Sequence, residues 1–279
     1  MTNTDEKLKN LVKEKYSQIA LQDKETNMSS CCGAGGCSTE VYNIMSDDYT
    51  KLEGYFEGAD LGLGCGLPTE FAKIKEGDTV IDLGSGAGND CFVARKFTGA
   101  SGKVIGIDFT PAMIERARIN AETLGFNNVE FRHGDIEQIP VVSNKANVLV
   151  SNCVLNLVPN KAKVIKEIFR VLKPGGHFSI SDVVLEGELP VELQQAAEMY
   201  AGCVAGAIQK QAYLTLIKEA GFINILVQKE KKIDIPADIL KKYLNEEGLE
   251  KYKKSSLGIL SLSVYADKPV ECCDPGCCA

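Results

Sequence analysis

The sequence feature that most limits the possible folds is a glycine-rich loop between an apolar run and a helical pattern. A five-residue run with the composition of a buried strand is followed at alternate positions by Gly84, Gly86 and Gly88. Glycines let the backbone turn sharply and approach a ligand closely, and the N-terminus of the following helix favours a carboxylate or phosphate. The dinucleotide-binding pattern Gly-x-Gly-x-x-Gly would need glycine or alanine where Asn89 stands. The loop therefore predicts a ligand site in an α/β fold, with a fingerprint of another kind.

Apolar runs alternate with helical patterns from residue 79 onward, which is typical of βαβ units with a parallel sheet. We expect Thr110 to cap the helix after the second strand, with Pro111 at its first position. The pattern predicts an amphipathic helix over residues 5–21. It predicts strands at Thr79–Leu83, Lys103–Asp108, Val129–Arg132, Val148–Ser151, Phe178–Val183, Ile223–Gln228 and Ile259–Tyr265.

The later part of the chain has weaker patterns. The segment Lys173-Pro174-Gly175-Gly176 predicts a turn before the fifth strand. Residues 190–220 predict helical structure interrupted at Gly202 and Gly206. The charge-rich segment from Lys229 to Lys254 predicts a solvated helix and loops.

Composition and charge exclude several classes of protein. The 279 residues include 44% hydrophobic and 25% charged residues, which is ordinary globular usage. A net charge of −7 without a long basic run argues against a nucleic-acid surface. The polar opening MTNTDEKLKN is unlike a secretory signal, and no segment has the ~18 consecutive apolar residues of a membrane span. We therefore expect a cytoplasmic monomer with no nucleic-acid or membrane partner.

The cysteines are the unusual part of the composition, because there are 11 of them against two His and no Trp. In a cytoplasmic chain they indicate thiols for metal, metalloid or redox chemistry rather than a disulfide framework. Taken singly, an interior cysteine also fits a small buried apolar position, and we interpret Cys91 in that way. The 11 form an N-terminal group (Cys31, Cys32, Cys37), an interior group (Cys65, Cys91, Cys153, Cys203) and a C-terminal group (Cys272, Cys273, Cys277, Cys278).

The spacing Asp82-x-Gly84-x-Gly86-x-Gly88 resembles the first motif of class I S-adenosylmethionine-dependent methyltransferases. Asp108 closes the next strand and is placed to accept both ribose hydroxyls. The segment His133-Gly-Asp135-Ile136 stands where that family contacts adenine, with Asp135 accepting from the exocyclic amine. The resemblance implies S-adenosylmethionine as cofactor, held by Asp82, Gly84, Ser85, Gly86, Asn89, Asp108, Phe109, Asp135, Ile136 and Asn152.

That resemblance also implies the fold. It is a Rossmann-like α/β fold with a seven-stranded, mostly parallel sheet and helices on both faces, completed by a smaller C-terminal region. We expect an N-terminal helix and Cys-rich loop over 1–40, the cofactor-binding domain over 41–185, a part completing the sheet and site over 186–266, and a flexible tail over 267–279.

Three interior cysteines narrow the resemblance. Cys65 lies in LGLGCGL, Cys153 in SNCVLNLV and Cys203 in YAGCVAGA, and these segments look like those of the arsenite methyltransferases. The resemblance implies that the three thiolates bind As(III) in a pyramid and leave the arsenic lone pair free to attack the sulfonium methyl. Trivalent arsenic is soft and prefers sulfur. Because no proton has to leave arsenic, the scarcity of histidine agrees with this chemistry.

The N-terminal and C-terminal cysteines leave alternatives open. The family implies a fourth, N-terminal cysteine that forms a disulfide with Cys65 during turnover and is reduced by thioredoxin or glutathione. Cys37 fits that role, and the vicinal pair Cys31 and Cys32 is the alternative. The tail Cys272-Cys273-Asp-Pro-Gly-Cys277-Cys278 either binds arsenite as an accessory site or is dispensable; its four thiols are too close in sequence for an unstrained tetrahedral zinc site.

Two other functions stay open at this point. One is a methyltransferase for a small carbon or oxygen acceptor, in which the cysteines are structural. The other is a thiol-rich protein that sequesters arsenite or a soft metal without turnover, and the intact cofactor loop argues against it. The favoured function is arsenite methylation, an arsenic-detoxification activity.

Overall fold

The computed structural model describes residues 3–22, 24–29, 47–196 and 203–270. The strands are β1 Thr79–Leu83, β2 Lys103–Asp108, β3 Val129–His133, β4 Ala146–Asn152, β5 Leu172–Glu186, β6 Ile223–Lys232 and β7 Gly258–Asp267. The helices are α1 Asn3–Ala20, α2 Lys24–Ser29, α3 Pro68–Phe71, α4 Asn89–Thr98, α5 Pro111–Thr123, α6 Lys161–Val171, α7 Val191–Gln194, α8 Lys210–Glu219, α9 Ala237–Leu240 and α10 Glu246–Lys254. Short 3₁₀ turns lie at Tyr49–Lys51, Glu57–Ala59, Ile136–Gln138 and Leu155–Leu157.

The seven strands form one sheet in the order β3-β2-β1-β4-β5-β7-β6. The first five are parallel, and β7 runs antiparallel between β5 and β6. The chain moves outward from β1 to β3 on one side and then restarts at β4 on the other side of β1. Ligands bind at such a reversal, outside the carboxyl ends of the strands. The seven-stranded, mostly parallel sheet expected from the sequence is confirmed.

Both faces of the sheet are buried. On β1, Ile81 and Leu83 belong to an apolar cluster with Val164 and Ile168 of α6. The neighbouring Val80 belongs to a different cluster, which includes Phe92 of α4 and Met113 of α5. Because successive side chains of a strand point to opposite faces, helices cover both sides of the sheet. This explains the near-continuous apolar runs in the sequence.

Several local predictions differ from the structure. Thr110 stands at the N-cap position with Pro111 next, but its side chain makes no capping hydrogen bond. Its N–H donates to the Asp108 carboxylate. The expected turn at Lys173–Gly176 lies within the span of β5 as an irregularity of the strand: Ala146 pairs with Leu172, Val148 pairs with His177, and Gly175 has φ +75°.

The C-terminal half also differs from its pattern. Strand β6 continues to Lys232, four residues into the segment expected as helix and loops, because Lys229, Lys231 and Lys232 pair with β7. Residues 203–209 contain no helix, although the pattern predicted one across them; residues 197–202, with Gly202, lie outside the described part of the chain. The expected domain boundaries stay a prediction.

None of the helices in the described parts of the chain is long and apolar enough to cross a bilayer.

Candidate functional site

One cavity lies at the carboxyl ends of β1, β2, β3 and β4. It encloses about 1160 Å³ of empty space, counting its open mouth. All ten residues expected to hold the cofactor line it, and so do Cys153, Cys203 and the neighbour of Cys65, Gly64. Because parallel strands end at one edge of the sheet, residues far apart in sequence meet here.

The glycine loop shapes one wall of this cavity. Gly84 has φ +69°, and a Cβ there would lie 2.3 Å from a methyl carbon of Val154. Gly88 has φ +100° and precedes the first residue of α4. Only glycine fits these two positions without strain. The loop backbone is therefore held close to the space that a ligand would fill.

Unpaired polar atoms mark the same wall. Ser85 Oγ, Asn89 Oδ1 and Thr110 Oγ1 are buried without a hydrogen-bond partner in the described part of the chain, and all three residues line the cavity. Buried polar groups are normally paired, so such a cluster fits a polar ligand. Sequence reasoning proposed Ser85 and Asn89 and missed Thr110, which it interpreted only as a helix cap.

Asp108 is held by two backbone donors. Its Oδ2 accepts from Gly86 N–H at 3.0 Å and its Oδ1 from Thr110 N–H at 2.8 Å. Burial raises the pKa of this carboxyl, and the two backbone hydrogen bonds oppose that rise. Each carboxylate oxygen still has capacity to accept from a ligand hydroxyl.

The charge of the lining is strongly negative. Five aspartates line the cavity, and Lys9 is the single cation among its described lining residues; the aspartates are Asp60, Asp82, Asp90, Asp108 and Asp135. Burial, followed by the charge of Asp90, raises the pKa of Asp82 well above its usual value. Burial likewise raises the pKa of Asp90 to about 6. A cationic ligand would relieve this repulsion, which matches a sulfonium and ammonium group.

Asp135 and Ile136 also line the cavity, at the start of the Ile136–Gln138 turn. Asp135 Oδ1 accepts from Glu137 N–H, and its Oδ2 accepts from Lys9 Nζ. The neighbouring His133 bonds through Nε2 to the Phe109 carbonyl at 2.9 Å, which holds the loops after β2 and β3 together.

The three interior thiols, which we call the thiol cluster, are packed in one part of the core. Cys65, Cys153 and Cys203 are all buried and share one apolar cluster. Cys203 Sγ donates to the Cys153 carbonyl at 2.9 Å. The neighbouring thiols of Cys203 and Cys65, followed by burial, raise the pKa of Cys153 well above its usual value, and burial raises the pKa of Cys65.

The backbone at two of these cysteines is strained. Cys153 has φ +60° and Cys203 has φ +65°, in the left-handed region that residues with a Cβ avoid. Such strain persists only where the surroundings impose it, and it clusters at functional sites.

A hydrogen-bonded network positions Cys65, and sequence reasoning missed most of it. Asn152 Oδ1 accepts from Cys65 N–H at 3.0 Å, and Asn152 Nδ2 donates to the Gly66 carbonyl and to the Tyr49 hydroxyl. The Tyr49 hydroxyl donates to Asp90 Oδ2 at 2.8 Å. Asn152, expected to bind the cofactor, thus has its side chain engaged with the Cys65 loop while it also lines the cavity.

Among the expected site residues in the described ranges, Cys65 does not line the cavity. Cys91, expected as a buried structural residue, is fully buried, donates to Asp82 Oδ2 at 3.2 Å and packs beneath the cofactor loop, in a different apolar cluster from the three thiols. No group of three or more His, Cys, Asp and Glu within the described ranges is arranged to hold a metal ion. The expected N-terminal and tail thiols lie outside the described residues, namely Cys31, Cys32, Cys37, Cys272, Cys273, Cys277 and Cys278.

Comparison with known proteins agrees with this site. A methyltransferase domain model matches residues 74–221. The arsenite methyltransferase of Halobacterium salinarum is 43% identical over 247 residues, covering 84% of this chain and 62% of the relative. That of Aquipseudomonas alcaligenes is 32% identical, covering 84% of this chain and 68% of the relative. The chain thus spans less than two thirds of the first relative's length.

A solved structure is also similar. The crystal structure of an arsenic(III) S-adenosylmethionine methyltransferase from Chlamydomonas reinhardtii superposes with a TM-score of 0.63 at 30% identity, covering 84% of this chain and 73% of that one. The match extends beyond the catalytic domain to most of the chain. With the fold, the glycine loop and these relatives in agreement, this chain belongs to the arsenite methyltransferase family of S-adenosylmethionine-dependent methyltransferases.

Proposed function

We propose that this protein transfers methyl groups from S-adenosylmethionine to As(III) bound by the thiolates of Cys65, Cys153 and Cys203, and so gives methylated arsenicals in arsenic detoxification. The observation that carries the proposal is the single cavity whose lining includes both the glycine loop and the cysteines Cys153 and Cys203. The names of the relatives support the same substrate.

The thiol cluster has the chemistry to hold arsenic. Each of the three thiols replaces one hydroxyl of arsenous acid, so that three As–S bonds form and three water molecules leave. The arsenic then keeps its lone pair as the only free position. Because the cysteines are buried among apolar side chains such as Val12 and Val183, bulk water is kept from the bound arsenic.

The part of the cavity around the glycine loop fits the cofactor. Asp108 would hold the ribose, Asp135 and Ile136 the adenine, and the unpaired Ser85 and Asn89 the remaining polar groups. When bound, S-adenosylmethionine supplies an electrophilic methyl group on a cationic sulfur. The carboxylates of the lining favour that positive charge.

The chain's own contribution is mainly orientation. Arsenic carries no proton that must be removed, so no general base is required, and both histidines are engaged elsewhere: His133 with the Phe109 carbonyl and His177 with the Ala72 carbonyl. Holding the two reactants in one enclosed site is the largest effect that such a cavity can supply.

The cysteines outside the described residues complete the proposal. Methylation through the lone pair raises arsenic formally from As(III) to As(V). Cys37 and Cys65 would then form a disulfide and return two electrons to arsenic, which restores As(III), with Cys31 and Cys32 as the alternative to Cys37. Thioredoxin or glutathione would reduce that disulfide. Cys272, Cys273, Cys277 and Cys278 would act as an accessory arsenite site. We propose a cytoplasmic monomer.

The test is to incubate the protein with As(III), S-adenosylmethionine and a thiol reductant, and to separate the arsenic species by chromatography with mass detection. We expect methylated arsenicals that require all three components. Cofactor binding without product would indicate sequestration, and methylation only of a carbon or oxygen acceptor would indicate the other methyltransferase class. Either result would contradict the proposal.

The rate of As(III) binding should rise with pH. The thiolate is the reacting form, and the pKa values of Cys65 and Cys153 are raised, so the thiols are protonated at neutral pH. Below those pKa values the thiolate fraction, and with it the rate, increases about tenfold per pH unit. Stopped-flow absorbance of the arsenic–thiolate bonds measures this. A rate that levels off between pH 6 and 8 would mean that a thiolate is already present there.

A further inference from the structure

Helix α1 lies outside the matched methyltransferase domain, which begins at residue 74, yet it forms part of the cavity wall. Val12 is fully buried in the apolar cluster that contains the three thiol-cluster cysteines. Ile19 and Ala20 pack in the cluster under the glycine loop, and Tyr16 packs against both clusters and lines the cavity. The helix therefore packs both against the cluster that contains the three thiols and against the cluster under the glycine loop.

The end of α1 is anchored to the catalytic domain by polar contacts. Arg116 of α5 donates to the Ala20 carbonyl at 2.8 Å and also to the Gln22 carbonyl. Lys24 bonds to Asp60 Oδ2 at 2.6 Å. These contacts hold the C-terminal end of the helix. They do not reach its first half.

Lys9 supplies a polar contact between the first half of α1 and the rest of the protein. Its Nζ lies 2.5 Å from Asp135 Oδ2 and 2.6 Å from Glu137 Oε2, and its side chain is only 15% exposed. Burial disfavours the charged lysine, but the two carboxylates outweigh it and raise the pKa of Lys9, which keeps it a cation. A single ammonium group therefore bridges two carboxylates of the Ile136–Gln138 turn.

Both carboxylates have further partners. Glu137 is buried, and its Oε1 accepts from Asn160 N–H at 2.9 Å, at the start of α6. Asp135 stays 40% exposed, and both its oxygens can accept a second hydrogen bond. Without the lysine, two carboxylates in one short turn would repel each other in a cavity that already carries four other aspartates.

We infer that Lys9 is a cofactor-positioning residue: it holds Asp135 and the Ile136–Gln138 turn in place for the adenine end of the cofactor and closes α1 over that end. This rests on the proposed function. The ligand chemistry is that of an adenosine with a thioether or sulfonium side chain. The lysine acts through Asp135 and does not take part in methyl transfer.

The test is calorimetric binding of S-adenosylhomocysteine to the full chain. Lys9→Met should weaken binding about tenfold, the loss of one part-buried charge contact. The loss should be equally large for 5′-methylthioadenosine, which keeps the adenosine and lacks the amino acid. Lys9→Arg, whose guanidinium can also bridge two carboxylates, should recover most of the affinity. As(III) binding by Lys9→Met should be unchanged.

Lys13→Met is the matched control, because Lys13 is exposed on the same helix one turn later. It should bind like wild type. Equal or tighter binding by Lys9→Met would overturn the inference, and tighter binding would mean that the lysine competes with the cofactor for Asp135. A wild-type protein that bound no adenosine ligand would instead contradict the proposed function itself.

Discussion

Replacing Cys153 by serine should abolish As(III) methylation while cofactor binding survives. Cys153 is buried in one apolar cluster with Cys65 and Cys203, and its carbonyl accepts from the Cys203 thiol. Serine has nearly the same shape but offers a hard oxygen to a soft centre. As(III) affinity should fall at least about 100-fold. Loss of a group that only supports a metal ligand lowers affinity by up to about 100-fold, and this substitution removes a ligand itself. Cys203→Ser should behave in the same way.

The measurement combines product speciation with two binding titrations, one for arsenite and one for S-adenosylhomocysteine. Cys65→Ser should block the first methylation but spare methylation of a monomethylated arsenical, which needs fewer thiolates. Cys91→Ala is the control for arsenite binding, because it removes a buried thiol that lies outside the thiol cluster. If all three serine variants methylated arsenite like wild type, the three-thiolate arrangement would be wrong.

The second large effect is expected for Asp108→Asn, which should weaken cofactor binding roughly 100-fold. Both oxygens of Asp108 accept backbone N–H groups, from Gly86 and from Thr110. An asparagine amide can accept only one of these and turns its NH₂ group towards the other donor. A hydrogen bond to a charged group contributes about 1.5–3 kcal/mol, and the ribose loses an acceptor as well.

Asp78→Asn provides the matched control for this variant. Asp78 also accepts a backbone N–H, from Lys75 at 2.8 Å, but it precedes β1 and therefore lies at the opposite edge of the sheet. It should leave cofactor affinity unchanged. Calorimetry with S-adenosylhomocysteine and thermal unfolding of both variants separate lost binding from lost stability. Wild-type affinity in a folded Asp108→Asn variant would show that Asp108 does not hold the cofactor.

Much of the cofactor-binding part of the cavity could be predicted from the sequence alone. Strand positions follow from apolar runs, and a glycine loop after the first strand must face the carboxyl edge of a parallel sheet. Asp108 and Asp135 end or follow neighbouring strands, so the same rule places them in one cavity. The local pattern was misleading where tertiary contacts outweighed it. The charge-rich segment from Lys229 suggested helix and loops, but its first four residues continue β6 because they pair with β7.

Predicting the thiol site required both the sequence and the structure. The three cysteine segments identified the family, but each cysteine in isolation also fits a buried apolar position. Only the structure brings the three buried thiols into one apolar cluster, gives Cys153 and Cys203 a positive φ, and shows that Tyr49 and Asn152 hold the Cys65 loop. No sequence period or motif predicts these hydrogen bonds, because their partners are separated by 50 or more residues.

The sequence by itself therefore determined the sheet and the cofactor loop, because periodicity and glycine spacing are local properties, and it proposed which thiols react. The tertiary structure alone decided which ordinary residues complete the site. Lys9 is 126 residues from Asp135, and on an amphipathic helix it looks like any solvated lysine. Only packing of α1 across the carboxyl edge of the sheet gives its charge two carboxylate partners, one of them buried.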